Sequence, residues 1–325
     1  MPTPIRLDGV LAKIEGTYAT DSVPVVGTDT VRIVDRLWPQ LQERFAWPNE
    51  RTAVASGSLI PPIPGVAKGR YCTIDFGWEI KGSRSGGAYS AGNKIEASPL
   101  LQACVCSEAL VTTGGSESLT YQHADTNHSS CTIYAYAGGY LYKLVGCRGT
   151  WHWPINVGVH GVLMFHLEGI LASKTVAAYP GGFVYATPGP VPGVAMALSV
   201  GGVWTPDVVT ADFLAQGTTS VQRLDSGNAA DGIQSFDIGD TVQPLFKIQA
   251  KAVIAAYDPS ADLVANPRTV RTLALVYNTA VQYDRAKLNV TNMYITDPIR
   301  NLNQSGFAAW DLTYLCDASW ALKFD

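Results

Sequence analysis

The segment Arg70-Tyr-Cys-Thr-Ile-Asp-Phe-Gly-Trp-Glu-Ile-Lys81 alternates apolar and polar side chains along its length. Phe76 and Trp78 belong to the apolar set, whereas Asp75 and Glu79 belong to the polar set. Successive side chains of a β-strand point to opposite faces of the sheet. The segment therefore predicts a strand with one face in the core and one face that carries two carboxylates.

The same alternation recurs in two later segments, 161–171 and 306–316. Burial of a large apolar side chain contributes about 1.5–3 kcal/mol, and this fixes which face of each strand meets the core. The predicted core side chains are Phe76, Trp78, Phe165, Leu167, Trp310 and Leu312. The polar side chains predicted on the opposite face are Asp75, Glu79, His166, Glu168, Asp311 and Thr313.

Other short β-rich segments, separated by many of the 31 glycines and 19 prolines, predict a mainly β fold. One short helix is expected after the first strand. Ser98 is a suitable N-cap, Pro99 fits the first helical position, and two glycines follow at 114 and 115. We expect this helix to pack on the first sheet, on the face that carries Trp78.

The Pro- and Gly-rich segment 173–193 predicts a linker between two domains. Residues 1–66 are expected to form an N-terminal arm and loop that belong to the first domain. Residues 67–172 are expected to form the rest of that domain, and residues 194–325 a second one. The length of 325 residues suits two domains of ordinary size.

The two halves are weakly similar to each other in sequence. Both contain a strand, a Pro-Ile pair, a loop, a glycine and an alternating strand, in that order. The matched residues are Thr150 with Thr291, Trp153 with Tyr294, Phe165 with Trp310, and Leu167 with Leu312. This shared order favours an internal duplication.

Composition and charge favour a protein that assembles. Charged residues make up 15% of the chain, against about 25% in typical soluble proteins, which predicts that much of the surface is buried between subunits. The net charge of −4 and the lack of a Lys/Arg run disfavour tight binding of nucleic acid. The sequence shows neither a signal-peptide core nor a membrane-spanning run, so we expect no membrane association and six free cysteine thiols.

The residues that could carry chemistry do not form a known pattern. His123, His128 and Cys131 lie close in sequence, but their spacing fits no standard zinc site. Asp75 and Glu79 would lie about 13 Å apart on one strand, too far for a retaining glycosidase pair. The chain contains neither a Gly-x-Ser-x-Gly motif nor a Gly-x4-Gly-Lys phosphate loop. We therefore expect no catalytic residues, no metal and no cofactor.

Six stretches of the chain share one resemblance. They are the opening segment 12–24, the strand and helix segments 69–82 and 98–104, the alternating strand Gly161-Val-Leu-Met-Phe-His-Leu-Glu-Gly169, and the downstream segments 201–209 and 232–239. Together they resemble the tail tube (major tail) proteins of long-tailed bacteriophages, the siphophages, and the strand 161–169 resembles their sheet-closing strand. The resemblance extends over most of the chain.

This resemblance implies two β-sandwich or split-barrel tube domains whose sheets join side by side into a ring. Rings stack into the tail tube through which DNA is ejected into the host. Some relatives carry two tube domains per chain and close as trimers with pseudo-sixfold symmetry; a hexamer of one tube domain plus a decoration domain is the alternative. The implied partners are further copies of the chain, the tape measure protein, and the terminator and distal tail proteins, in a virion assembled from protein made in the host cytoplasm.

In such a ring, the six predicted polar side chains would face the channel. Asp75 and Glu79 would be solvated, and scattered carboxylates would repel the phosphates of DNA in transit, which is not bound specifically. An enzyme that uses Cys104, Cys106 and His123 is the least favoured alternative, because buried cysteines usually behave as small apolar residues. Two other functions stay open. One is a distal tail or baseplate component of the same fold. The other is a β-sandwich carbohydrate-binding or adhesin module, in which exposed Trp151, Trp153 and Trp204 would form a platform.

Overall fold

The computed structural model describes residues 8–34, 40–46, 66–190, 196–202, 204–216, 220–226, 233–239, 243–252, 257–277, 282–296, 300–304, 307–317 and 319–325. These residues form a mainly β protein with a large antiparallel sheet and two short helices. Neither helix has the length and apolar character that a membrane crossing requires within this described part.

The strands of the first half are β1 (Gly9–Ile14), β2 (Thr30–Val31), β3 (Ile33–Val34), β4 (Gln40–Ala46), β5 (Val66–Glu79), β6 (Cys106–Val111), β7 (Ser118–His123), β8 (Cys131–Ala137), β9 (Tyr140–Asn156) and β10 (Val162–Val176). Those of the second half are β11 (Ala197–Val200), β12 (Val208–Leu214), β13 (Val221–Asp225), β14 (Ile233–Ile238), β15 (Leu245–Lys251), β16 (Arg271–Tyr277), β17 (Ala286–Ile295), β18 (Arg300–Gln304), β19 (Phe307–Cys316) and β20 (Trp320–Phe324). The helices are α1 (Ser98–Ala103) and α2 (Pro259–Val264).

Eight of these strands lie side by side in a continuous antiparallel array, which we call the eight-strand sheet. Their order is β4–β5–β10–β9–β12–β15–β19–β18. The central pairing of β9 with β12 joins the first half of the chain to the second, and it places Trp153 opposite Phe213. Hydrogen bonding therefore continues from one half to the other without a break.

The core face of the eight-strand sheet is apolar across both halves. One row of register partners is Trp153, Phe213, Phe246 and Tyr314, and the next is Ile155, Ala211, Ile248 and Leu312. All eight side chains are buried, as are the six predicted core side chains. Strands from the second half cover core side chains of the first. The ring of Phe324 in β20 lies 6.4 Å from that of Trp78, and Trp320 lies 5.5 Å from Trp151.

The two halves use their strands in the same order, and we call them the first repeat (8–190) and the second repeat (196–325). The array β4–β5–β10–β9 of the first repeat corresponds to β12–β15–β19–β18 of the second. In addition, β1 pairs with β8 as β11 pairs with β16, and the hairpin β8–β9 corresponds to β16–β17. A short helix follows β5 in the first repeat and β15 in the second.

Matching rows of residues support this correspondence. Ala12, Ile133, Leu144 and Leu171 stand opposite one another across β1, β8, β9 and β10. Leu198, Leu275, Leu288 and Leu322 do the same across β11, β16, β17 and β20. The long strand β9 therefore corresponds to β17 together with β18, and β10 corresponds to β19 together with β20.

The correspondence of strands between the two repeats corrects two of the four residue matches predicted from sequence. Phe165 and Leu167 lie in β10, and their matches Trp310 and Leu312 lie in the corresponding strand β19. The matches of Thr150 with Thr291 and of Trp153 with Tyr294 are wrong. Thr150 stands opposite His166, whose equivalent in the second repeat is Asp311. The residue opposite Asp311 is Arg300, so Thr150 corresponds to Arg300 and not to Thr291. Sequence comparison missed this because β17 ends at Ile295 before β18 begins, whereas β9 is continuous.

Two predictions about helices need correction. The N-cap of α1 is Ala97 and not Ser98, whose hydroxyl instead donates a hydrogen bond of 2.6 Å to Glu108. The second helix, α2, was not predicted. It begins after Asp258, whose carboxylate accepts a hydrogen bond of 3.0 Å from the N–H of Ser260.

The predicted linker is attached to the first repeat as far as the structure describes it. The boundary after residue 172 falls inside β10, which continues to Val176. Further on, the N–H of Thr187 donates to the carbonyl of Arg84 at 3.0 Å. The glycine-rich loop that follows β5 also connects the repeats, because the N–H of Gly82 donates to Asp284 at 2.9 Å and the hydroxyl of Tyr89 donates to the carbonyl of Tyr283 at 2.9 Å. Residues 191–193 lie outside the described part.

Candidate functional site

The polar face of the eight-strand sheet lies opposite its core face and is the candidate functional site. It carries the six predicted polar side chains, but they differ in exposure. Asp75 is 54% exposed and His166 is 41% exposed. Glu79 and Glu168 are largely covered, at 20% and 17%. Asp311 and Thr313 are half-buried.

A histidine between two carboxylates lies near the middle of this face in the first repeat. The Nδ1 atom of His166 is 2.6 Å from Oδ1 of Asp75, and its Nε2 atom is 3.5 Å from Oε1 of Glu168. The hydrogen bonds to Asp75 and then to Glu168 raise the pKa of His166 to about 9, although partial burial opposes the shift. The imidazole is therefore protonated at neutral pH, and its charge offsets one of the two neighbouring carboxylates.

The expectation that Glu79 is solvated is wrong. Its Oε2 atom lies 3.1 Å from Nζ of Lys81, whose side chain is only 1% exposed. The imidazole Nε2 of His160 lies 3.8 Å from the other carboxylate oxygen. A buried ammonium group needs an anionic partner, so Glu79 serves to compensate Lys81 at the end of β5.

A histidine and a carboxylate also meet across the junction between the repeats. Nδ1 of His152 in β9 lies 3.2 Å from Oδ1 of Asp212 in β12. Both side chains are partly exposed on the polar face. This contact extends the pattern of neighbouring histidines and carboxylates from the first repeat into the second.

Sequence reasoning missed the cations of this face. Lys247 stands opposite both Asp212 and Thr313, and Lys251 lies four residues further along β15 on the same face. Both lysines are exposed. The alternation of Phe246, Ile248 and Ala250 with these lysines was the signal that could have revealed them. The polar face therefore carries charges of both signs instead of carboxylates alone.

A hairpin from the second repeat covers one end of this face in the first repeat. The rings of Phe236 in β14 and Tyr71 in β5 are 5.8 Å apart. The guanidinium of Arg148 donates a hydrogen bond of 3.1 Å to the carbonyl of Phe236 and lies 3.3 Å from the carboxylate of Asp237. The hairpin β13–β14 thus covers the part of the first repeat's polar face around Tyr71 and Arg148, and His166 stays partly exposed.

The cysteines and histidines considered for chemistry are not arranged for it. Burial raises the pKa of the Cys104 thiol well above its ordinary value and that of Cys106 to about 12, and burial lowers the pKa of His123. A thiol held in its neutral form is a poor nucleophile. Across the described ranges, no three His, Cys, Asp or Glu side chains lie close enough to hold a metal ion.

No model of a known protein family matches the chain, and a search of curated proteins finds no significant match. The function must therefore be argued from the fold and the polar face.

Proposed function

We propose that this protein is a structural tail tube subunit of a long-tailed bacteriophage, which assembles into stacked rings around a DNA-conducting channel. The observation that carries the proposal is the eight-strand sheet, which continues across both repeats and buries one face while the other stays polar. Each repeat would correspond to one β-sandwich tube domain. The resemblance noted in the sequence points to the same class of protein.

The width of the sheet favours three copies per ring. Eight strands that are about 4.8 Å apart and tilted by about 40° occupy about 50 Å of a circumference. One copy closing on itself would form a barrel whose interior side chains fill. At the same tilt, three copies would give a diameter of about 50 Å between opposite backbones, and six about 100 Å. Three copies provide six repeats and a bore that admits duplex DNA without great excess.

The polar face would form the inner wall of the channel. Its carboxylates are accompanied by Lys247, Lys251 and protonated His166, so its net charge is small. DNA can slide along a surface only if that surface neither binds the phosphates tightly nor repels them strongly. We extend this proposal to the partners expected of a tail tube: the tape measure protein within, and the terminator and distal tail proteins at the ends.

Electron microscopy of the purified protein tests this function. We expect rings or tubes of uniform bore, with native mass spectrometry giving multiples of three chains. Monomers at all protein and salt concentrations would contradict the proposal. Single rings that never stack would instead favour a distal tail or baseplate component of the same fold.

The carbohydrate-binding alternative loses the feature on which it depended. Trp151, Trp153 and Trp204 are all buried in the core, so they cannot form an exposed platform for a sugar. A binding module would need another aromatic surface.

A further inference from the structure

Each of the two outer strands of the eight-strand sheet is paired on one side only among the described strands. Within the described strands, β4 pairs only with β5, and β18 pairs only with β19. An edge strand presents unpaired backbone N–H and C=O groups that can accept another strand. The two edges belong to different strands, so one edge of a copy could meet the other edge of the next copy.

The chain already contains an example of such a contact. At the junction between the repeats, β9 of the first repeat pairs with β12 of the second. In the correspondence between repeats, β12 is the equivalent of β4, and β18 is the equivalent of the last part of β9. Among the described strands, the outer edges of β18 and β4 are therefore equivalent to the two edges that meet inside the chain.

We infer that β18 of one copy pairs antiparallel with β4 of the next copy, and that this seam repeats the internal β9–β12 junction. The inference rests on the proposed function, because it assumes that the copies form a closed ring. It makes every contact around a ring of three chains alike, with three junctions inside chains and three seams between them. Such a head-to-tail contact closes into a ring when its rotation allows.

The correspondence also gives the register of the seam. Gln40, Leu41 and Gln42 of β4 are equivalent to Asp212, Phe213 and Leu214 of β12, through their partners in β5 and β15. Leu302, Asn303 and Gln304 of β18 are equivalent to His152, Trp153 and Pro154 of β9, through their positions relative to β19 and β10. Transferred to the seam, the internal register places Gln42 opposite Leu302, Leu41 opposite Asn303, and Gln40 opposite Gln304.

One of these pairs suits a disulfide. In the internal junction, the N–H of Ala215 donates to the carbonyl of Trp151, and hydrogen-bonded pairs then alternate along the strands. Leu214 and His152 consequently form a non-hydrogen-bonded pair, in which Cα atoms are about 4.5 Å apart. The equivalent pair at the seam is Gln42 with Leu302. All six native cysteines are buried, so they should contribute little background to oxidation.

Disulfide cross-linking of the assembled full chain tests the seam. In the variant Gln42→Cys with Leu302→Cys, mild oxidation should convert most of the protein into covalent dimers and trimers on a denaturing gel. A mixture of the two single variants should give dimers only. The matched control, Gln42→Cys with Gln304→Cys, is displaced by two residues and should cross-link at least tenfold less.

The outcomes distinguish failure of the seam alone from failure of the proposed function. Rings in the microscope without this cross-link, or with a stronger one in the control, would overturn the seam and leave the tube function standing. A cross-link confined to single chains would mean that the sheet closes on itself, and it would overturn both. Absence of rings together with absence of cross-links would also overturn both.

Discussion

The two repeats share their order of strands and differ in the charges on their polar face. In the first repeat, Asp75 and Glu168 surround a protonated histidine, whereas the second repeat places exposed Lys247 and Lys251 beside Asp212 and Asp311. The core rows that fix the strand order are apolar in both repeats. The comparison indicates that packing constrains the topology, while the charges on the polar face can differ between two repeats of the same strand order.

The repeats also differ in what they insert into the shared order. The first repeat adds the hairpin β6–β7, which pairs with β20 of the second repeat. The second repeat adds the hairpin β13–β14, which lies against the polar face of the first. Each insertion contacts the other repeat, so the chain should unfold as one unit even though its topology is repeated.

The largest loss of stability is expected from a substitution at the junction between the repeats. Phe213 is fully buried, and its ring lies 5.8 Å from those of both Trp151 and Trp320. Phe213→Ala should lower the free energy of unfolding by about 3–5 kcal/mol, because it leaves a cavity where the repeats meet. Chemical denaturation should still show one transition. The control Val157→Ala, at an exposed turn residue, should change stability by less than about 0.5 kcal/mol. Two separate transitions in the unmodified protein would contradict the single continuous core.

A smaller loss is expected from the buried ion pair of Asp262 with Arg271 in the second repeat. Asp262 accepts hydrogen bonds of 2.8 and 2.7 Å from the guanidinium of Arg271 and another from the hydroxyl of Tyr257. Burial raises the pKa of Asp262, but Arg271 and Tyr257 outweigh it, and the pKa falls below its usual 3.8. Asp262→Asn should therefore destabilise the protein by about 3 kcal/mol at pH 7.

The pH dependence of that loss provides its control. A carboxylate with a lowered pKa contributes stability above its unfolded pKa and loses it as the pH falls through the folded value. The difference between the unmodified protein and Asp262→Asn, measured by urea denaturation, should shrink as the pH falls below about 4. A difference that stays constant from pH 7 to pH 3 would show that the ion pair is not its source.

The histidine of the first repeat should give a weaker effect with the opposite pH dependence. A raised pKa means that the pairing of His166 with Asp75 stabilises the fold fully below about pH 6.5 and ceases to do so as the pH rises through about 9. Because both side chains are substantially exposed, His166→Gln should cost at most about 1 kcal/mol at pH 6 and almost nothing at pH 10. An NMR titration that places the pKa of His166 near 6.5 would contradict the geometry.

A comparably small change in stability is expected for charge reversal on the open part of the polar face. Asp75→Lys with Asp311→Lys should alter stability by less than about 1 kcal/mol, because neither side chain is buried. Assembled tubes of this variant should retain duplex DNA at low salt and release it as salt rises, whereas unmodified tubes should not retain it. Glu79→Lys should behave differently and destabilise the fold, since it replaces the carboxylate paired with buried Lys81 by a second ammonium group. Equal DNA retention by both kinds of tube would argue against a channel-facing position.

The sequence predicted what depends on local periodicity. The alternation in 70–81 predicted β5 and the burial of Phe76 and Trp78, and the same reasoning predicted the core sides of β10 and β19. It could not predict the pairing of β9 with β12, because contacts between distant strands leave no local period. It also missed α2, whose buried residues Pro259 and Asp262 form no apolar pattern. It missed the ion pair of Glu79 with Lys81 as well, because that contact depends on how the end of β5 is covered.

A three-dimensional reconstruction of the assembled protein by electron microscopy tests the central claim most directly. We expect closed rings of three chains, with a continuous inner sheet in which β4 and β18 of neighbouring copies are paired. Asp75, His166 and Asp311 should face the bore. A ring whose inner wall is formed by other strands, or one with these side chains on its outer surface, would contradict the account.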